Sequence, residues 1–108
     1  MMNLVDRVVA WATPIHAPSS STGVGLVSQS GATAFFLASM ANQQDLSLSH
    51  VVSTGNEADL DSCTVACALA ADPETRAIAM FLESVRRPER FVAAADAANA
   101  GGKPLVVL

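Results

Sequence analysis

Tyrosine is absent from the 108 residues, and tryptophan and lysine occur once each, the lysine as Lys103. Ten acidic residues against six basic ones leave a net charge of -4. This balance excludes nucleic acid as the expected partner, because such binding depends on clustered cations. No apolar run approaches the ~20 residues of a membrane span, and no basic, apolar, small-residue leader opens the chain. The expectation is a cytoplasmic protein with no membrane partner. The two cysteines, Cys63 and Cys67, lie one helical turn apart on one face. That placement disfavours a disulfide, and no histidine or third cysteine is spaced to complete a zinc site. Buried thiols in a reducing compartment, and no metal, are expected.

What is present is apolar: 51% hydrophobic against 15% charged residues. The chain is long enough for one core and too short for two. Residues 1–22 are poorly organised. Val5, Val8, Val9 and Trp11 suit a short helix or an extended strand, and Pro14, Pro18 and Ser19-Ser20-Ser21 follow; the segment reads as an extended arm and linker. From Gly23 the pattern is regular. Apolar runs at Val24 to Ser28, Leu48 to Ser53, Ala77 to Leu82 and Leu105 to Leu108 predict four strands. Between them, Ala32 to Gln43 (Phe35, Phe36, Leu37, Met40), Leu60 to Ala71 (Val65, Leu69) and Glu89 to Ala100 (Phe91, Val92, Ala95, Ala98) predict amphipathic helices. Asp59 or Asp61 suits a cap for the second helix and Asp72-Pro73 its end. Pro88 suits the first turn of the third helix, and Gly101-Gly102 its stop. Alternation of this kind implies a three-layer α/β fold over 23–108: a parallel four-stranded sheet with crossover helices, flavodoxin-like but incomplete.

In a parallel sheet every strand's carboxyl end lies on one edge, where ligands bind. This sequence places Ser28-Gln29-Ser30-Gly31, Thr54-Gly55-Asn56-Glu57 and Glu83-Ser84 there. The run Gly25 to Thr33 reads as strand, tight turn and helix start. A helix N-terminus with free amides, the Ser30 hydroxyl and a side-chain-free Gly31 is suited to an anion, although a serine there also serves as a plain cap. Glu83 follows a strand directly and could hold an imidazole in one orientation, or stand as a solvated loop carboxylate. Gly55 and Asn56 suit a turn and are compatible with a pocket wall.

Three other chemistries fit less well. A serine nucleophile elbow at Ser30 needs a histidine, but His50 begins the second strand at the opposite edge and His16 lies in the arm. A P-loop needs a lysine before its Ser/Thr, and a dinucleotide fingerprint needs G-x-G-x-x-G after the strand; neither pattern occurs here.

Taken in order, Gly25-Leu26-Val27-Ser28-Gln29-Ser30-Gly31-Ala32, Ser53-Thr54-Gly55-Asn56-Glu57-Ala58-Asp59, Ala71-Asp72-Pro73-Glu74-Thr75, Phe81-Leu82-Glu83 and Gly102-Lys103-Pro104 resemble the NDP-forming acyl-CoA synthetases. These are the ADP-forming acetate-CoA ligases and their relative, the succinyl-CoA synthetase α-subunit. The likeness covers Gly23 to Leu108 and corresponds to the flavodoxin-like CoA-ligase domain. In that family an acyl phosphate reacts with CoA to give a thioester, and a phosphorylated histidine relays phosphoryl groups to or from ADP on an ATP-grasp module. The resemblance implies that Ser30 and Gly31, with Gln29 and Ala32, contact the phosphoryl group. It implies that Glu83 orients the histidine, and that Gly55, Asn56 and Glu57 belong to a loop near the site.

The full enzyme implies CoA, ADP or ATP, and Mg, with none bound by this chain alone. The implied partners are CoA-binding and ATP-grasp domains or subunits, and phosphate or acyl phosphate. The family's histidine follows the strand that begins after Lys-Pro, and Leu108 lies inside that strand. The expectation is therefore a domain fragment, inactive alone, whose histidine comes from outside this chain. A self-associating interaction module, forming a homo-oligomer, is the alternative. A flavodoxin-like mononucleotide binder is a third reading, weakened by the missing tyrosine.

Overall fold

The computed structural model describes Ser20, residues 22–108, and the backbone of 2–3 and 8–9. Four strands, β3 (Gly23–Ser28), β4 (Leu48–Ser53), β5 (Thr75–Phe81) and β6 (Leu105–Val107), run parallel in the order β4-β3-β5-β6. Helices α1 (Gly31–Gln43), α2 (Ser62–Ala71) and α3 (Pro88–Ala100) connect them. The expected parallel four-stranded sheet and its three helices are all present. Two further two-residue strands, β1 (Met2–Asn3) and β2 (Val8–Val9), extend the sheet antiparallel beyond β4. Pairs that short leave no periodicity to read. The rest of the expected arm and linker, Trp11 and His16 included, lies outside the described residues.

The inner strands β3 and β5, with β4 beside them, are apolar because helices cover the sheet on both faces. Leu26, Leu48 and Val51 face a core shared with Ala34, Ala38 and Ala41 of α1. Val27, Ile78 and Met80 face the other core, with Cys63, Ala66 and Leu69 of α2 and Ala94 and Ala98 of α3. Adjacent Leu26 and Val27 thus point to opposite layers, as the pleat requires.

The inward faces correct the sequence reading. Phe35, Phe36 and Met40, expected to pack inward from α1, are 39%, 60% and 45% exposed, and Val92 of α3 is 57% exposed. Alanines at i, i+4 and i+7 point inward instead, so backbone and sheet approach closely. Glycines continue this on the strand side. A Cβ at Gly25 would lie 2.8 Å from the Leu69 Cδ1 of α2, and one at Gly23 would run into the Ser47 carbonyl. A hydrophobicity pattern rewards large side chains, whereas a tight helix-sheet interface selects small ones.

The connection β3-α1-β4 runs over one face, and β4-α2-β5 crosses back over β3 on the other. The chain therefore reverses direction between β3 and β5. Their carboxyl ends form the crevice where ligands of open α/β sheets bind.

Candidate functional site

Three loops meet at that crevice. Ser28, fully buried at the end of β3, ties the turn that follows. Its hydroxyl donates to the Ser30 carbonyl at 2.7 Å, and its oxygen accepts from the Ser30 amide at 3.1 Å. Ser30 is extended (φ -107, ψ 123) and caps α1, its Oγ accepting from the Thr33 amide at 3.2 Å. The first-turn amides of Gly31 and Ala32 have no acceptor within their own helix, and a dipole end favouring negative charge coincides with them.

Gln29 binds the β3 loop to the β5 loop. Its amide nitrogen donates to the β5 carbonyl of Phe81 at 3.0 Å. Its side chain accepts from the Glu83 and Ser84 amides at 2.7 and 3.0 Å, and donates to the Ser84 carbonyl at 2.9 Å. The Gln29 side chain is thus committed to holding Glu83 beside the turn. Glu83 itself is exposed.

The β4 loop joins through the Thr54 amide, which donates to the Ser28 carbonyl at 2.9 Å. Gly55 (φ 55) and Glu57 (φ 54) both adopt left-handed backbone, as a turn at Gly55 anticipates. For Glu57 that conformation costs of order 1–2 kcal/mol, and its carboxylate over-determines it. Oε1 accepts from the Ser62 amide at 2.8 Å and from the Ser62 hydroxyl at 2.7 Å. The Ser62 hydroxyl also meets the Thr54 hydroxyl at 2.9 Å. Burial opposes ionisation of Glu57, but hydrogen bonds from Gln29 and Ser62 outweigh it and hold the group below the ordinary carboxylate range.

Asp61 starts α2. Its Oδ1 accepts from the Thr64 amide and hydroxyl at 2.7 and 2.8 Å, and its Oδ2 pairs with Arg90 at 2.8 Å and Arg87 at 3.1 Å. Burial again opposes the charge, and these bonds prevail, so its carboxyl also lies below the usual range. Of the two caps offered by the sequence, Asp61 is the one used.

Two adjoining clefts open at this edge. One, of about 70 Å³, is bounded by Gln29, Glu57, Asp61, Cys63, Leu82 and the 84–87 loop with Arg90. The other, of about 50 Å³, is bounded by Gln29, Gly55, Asn56, Glu57, Glu83, Ser84 and Arg86. Five residues or loops read from sequence therefore come together: Gln29, Gly55, Asn56, Glu57 and Glu83. Ser30, Gly31 and Ala32 stand next in the chain but line neither cleft. The sequence reading missed Arg86, Arg87 and Arg90, although three of the six basic residues crowd into 86–90. Both cysteines are free, Cys63 buried and Cys67 half-buried. Burial, with Asp61 and Glu57 nearby, pushes the Cys63 thiol above its ordinary range, which makes it a poor nucleophile.

His50 lies at the other end of the sheet, its Nδ1 3.5 Å from the Asp72 Oδ2 just before β5. Among the described residues, His50, Asp72 and Glu74 are the grouping whose ligand atoms come within 4.8 Å of one another. The sequence reading did not see it, because 50, 72 and 74 have no ligand spacing. At the crevice edge both oxygens of Asp61 are already engaged, Oδ1 by Thr64 and Oδ2 by Arg87 and Arg90, so Asp61 does not fit Mg²⁺, a cation that needs near-ideal octahedral oxygen ligation free of competing cations. No helix among the described residues is long and apolar enough to cross a membrane.

Comparison with known proteins identifies the domain to which this fold belongs. The family model of the succinyl-CoA ligase like flavodoxin domain matches residues 21–108. The chain is 46% identical over 109 aligned residues to a trans-feruloyl-CoA synthase (FCS1) from an unknown prokaryotic organism, covering 98% of this chain and 15% of that protein. It is 35% identical to the alpha subunit of an ADP-forming acetate-CoA ligase I of Pyrococcus furiosus, over 79% of this chain and 18% of that subunit. It superposes on the dinucleotide-forming acetyl-coenzyme A synthetase 1 of Ca. Korarchaeum cryptofilum, solved in complex with phosphate and ADP. There the TM-score is 0.72 and the identity 31%, over 81% of this chain and 19% of that one. The chain thus spans under a fifth of the length of each of these relatives. The fold, the ordered motifs and the matched residues together make the chain a member of the succinyl-CoA ligase like flavodoxin domain family.

Proposed function

We propose that this chain forms the phosphoryl-binding part of the active site of an NDP-forming acyl-CoA synthetase, which interconverts acyl-CoA, NDP and phosphate with acid, CoA and NTP through a phosphohistidine. The observation that carries the reading is the α1 N-terminus, with its free first-turn amides, joined through Gln29 to the strand end bearing Glu83. The amides of Gly31 and Ala32 receive the phosphoryl oxygens. Glu83 accepts a hydrogen bond from the imidazole and holds its ring in line. His50 is at the wrong end of the sheet for this task, so the imidazole belongs to another segment. CoA supplies the thiol that attacks the carbonyl carbon of the acyl phosphate, and phosphate leaves as the thioester forms.

The remaining domains of the enzyme are the proposed partners. Phe35, Phe36 and Met40 on α1, and Val106, Val107 and Leu108 at the β6 edge, are between 39% and 66% exposed. Such apolar surface suits docking within a longer ligase.

Titration of the chain with inorganic phosphate, followed by amide chemical shifts, tests the site. Saturable shifts centred on residues 30–33 are expected. Their absence, or shifts confined to other regions, would overturn the reading. An assay for ADP-, phosphate- and acyl-CoA-dependent turnover by the chain alone is expected to give none, and measurable turnover would refute the requirement for an external histidine.

A further inference from the structure

Arg86 stands in an unusual electrostatic position. It lines both clefts, together with Gln29, Glu57 and Ser84. Its neighbours Arg87 and Arg90 are committed to Asp61. Among the described residues, Arg86 makes no ion pair and no hydrogen bond. The same cleft exposes two carboxylates, Glu57 and Glu83. Glu57 is ionised at neutral pH, since its hydrogen bonds hold it below the ordinary range.

Gln29, which precedes the α1 turn, lines both clefts, so a phosphoryl anion arriving at that turn meets negative charge. Among the described residues, the exposed Arg86 is the cation lining these clefts that no carboxylate already holds. A guanidinium suits that task, because its planar fork can donate two hydrogen bonds to one phosphoryl group. We infer that Arg86 is a substrate-binding residue, which engages the phosphoryl group of phosphate or an acyl phosphate and screens it from Glu57 and Glu83. The inference rests on the proposed phosphoryl site and names the side chain that makes an acidic crevice accept an anion.

The test is titration with inorganic phosphate of the wild-type chain, Arg86→Gln, Arg86→Lys and Arg76→Gln, at low and high NaCl. Arg76 removes the same unit charge from the start of β5, where its Nε donates to the Thr22 hydroxyl at 2.8 Å, far from the clefts. Arg86→Gln is expected to weaken phosphate binding about 5- to 10-fold at low salt and to flatten its salt dependence. Arg86→Lys should recover part of the loss, and Arg76→Gln should bind like wild type. Equal affinities in wild type and Arg86→Gln would overturn the role of Arg86 while leaving the α1 turn as a binding site. A parallel loss in Arg76→Gln would reduce the effect to net charge and overturn it too. Failure of the wild type to bind phosphate would overturn the underlying site itself.

Discussion

Replacing Asp61 with alanine is expected to lower the free energy of unfolding by about 2–3 kcal/mol. One carboxylate here performs two tasks. It caps α2 through the Thr64 amide and hydroxyl, a contribution of about 1 kcal/mol, and it anchors Arg87 and Arg90. The two guanidinium side chains are 49% and 46% exposed while the carboxylate is 8% exposed. On loss of Asp61 the arginines return to water rather than remain as buried charges, which limits the second contribution to about 1–2 kcal/mol. Asp61→Asn keeps a good capping side chain and removes the charge, so about half the loss is expected. Urea unfolding with unchanged m-values measures both, and an alanine variant within 0.5 kcal/mol of wild type would contradict the assignment.

The same residues set the acid limit of the fold. The Asp61 and Glu57 carboxyls are both held below their ordinary range in the folded chain. Their stabilisation is therefore fully present above the unfolded carboxylate range, near pH 4–5, and is lost as pH falls through the lower folded values. Asp61→Asn should show a shallower decline below pH 4 than wild type.

Gly31→Val is expected to weaken phosphate binding by at least about 10-fold while changing stability by under about 1 kcal/mol. The two effects separate because of where Gly31 stands. It is the first residue of α1, its backbone needs no left-handed conformation, and an added Cβ would meet the Ser53 Oγ at an ordinary 3.6 Å. The fold accepts a side chain there. An anion on the Gly31 and Ala32 amides does not, because the isopropyl group occupies the approach to the helix end. Phosphate affinity unchanged by this substitution would sink the α1 site, and a large stability loss would show that Gly31 serves packing instead.

Local chemistry made much of this protein legible. Strand and helix order, the Ser30 and Asp61 caps, the Pro88 start of α3 and the turn at Gly55 all depend on residues within a few positions of one another. Short-range hydrogen bonds and backbone preferences act on the sequence directly, and a parallel sheet then sends every following loop to one edge. The convergence of 28–31, 54–57 and 83–84 thus followed from the order of elements alone.

Only the tertiary structure decided which side chains that edge would leave available. The Gln29 side-chain amide spans more than fifty residues to hold the Glu83–Ser84 backbone. Asp61 neutralises two arginines that arrive from beyond β5 and so leaves Arg86, among the described residues lining this edge, without an ion-pair partner. Alanines, rather than Phe35 and Phe36, turn inward because the helix lies close to the sheet. The physical reason is common to all three. Pairing and packing depend on distances between residues far apart in the chain, which composition and periodicity do not encode.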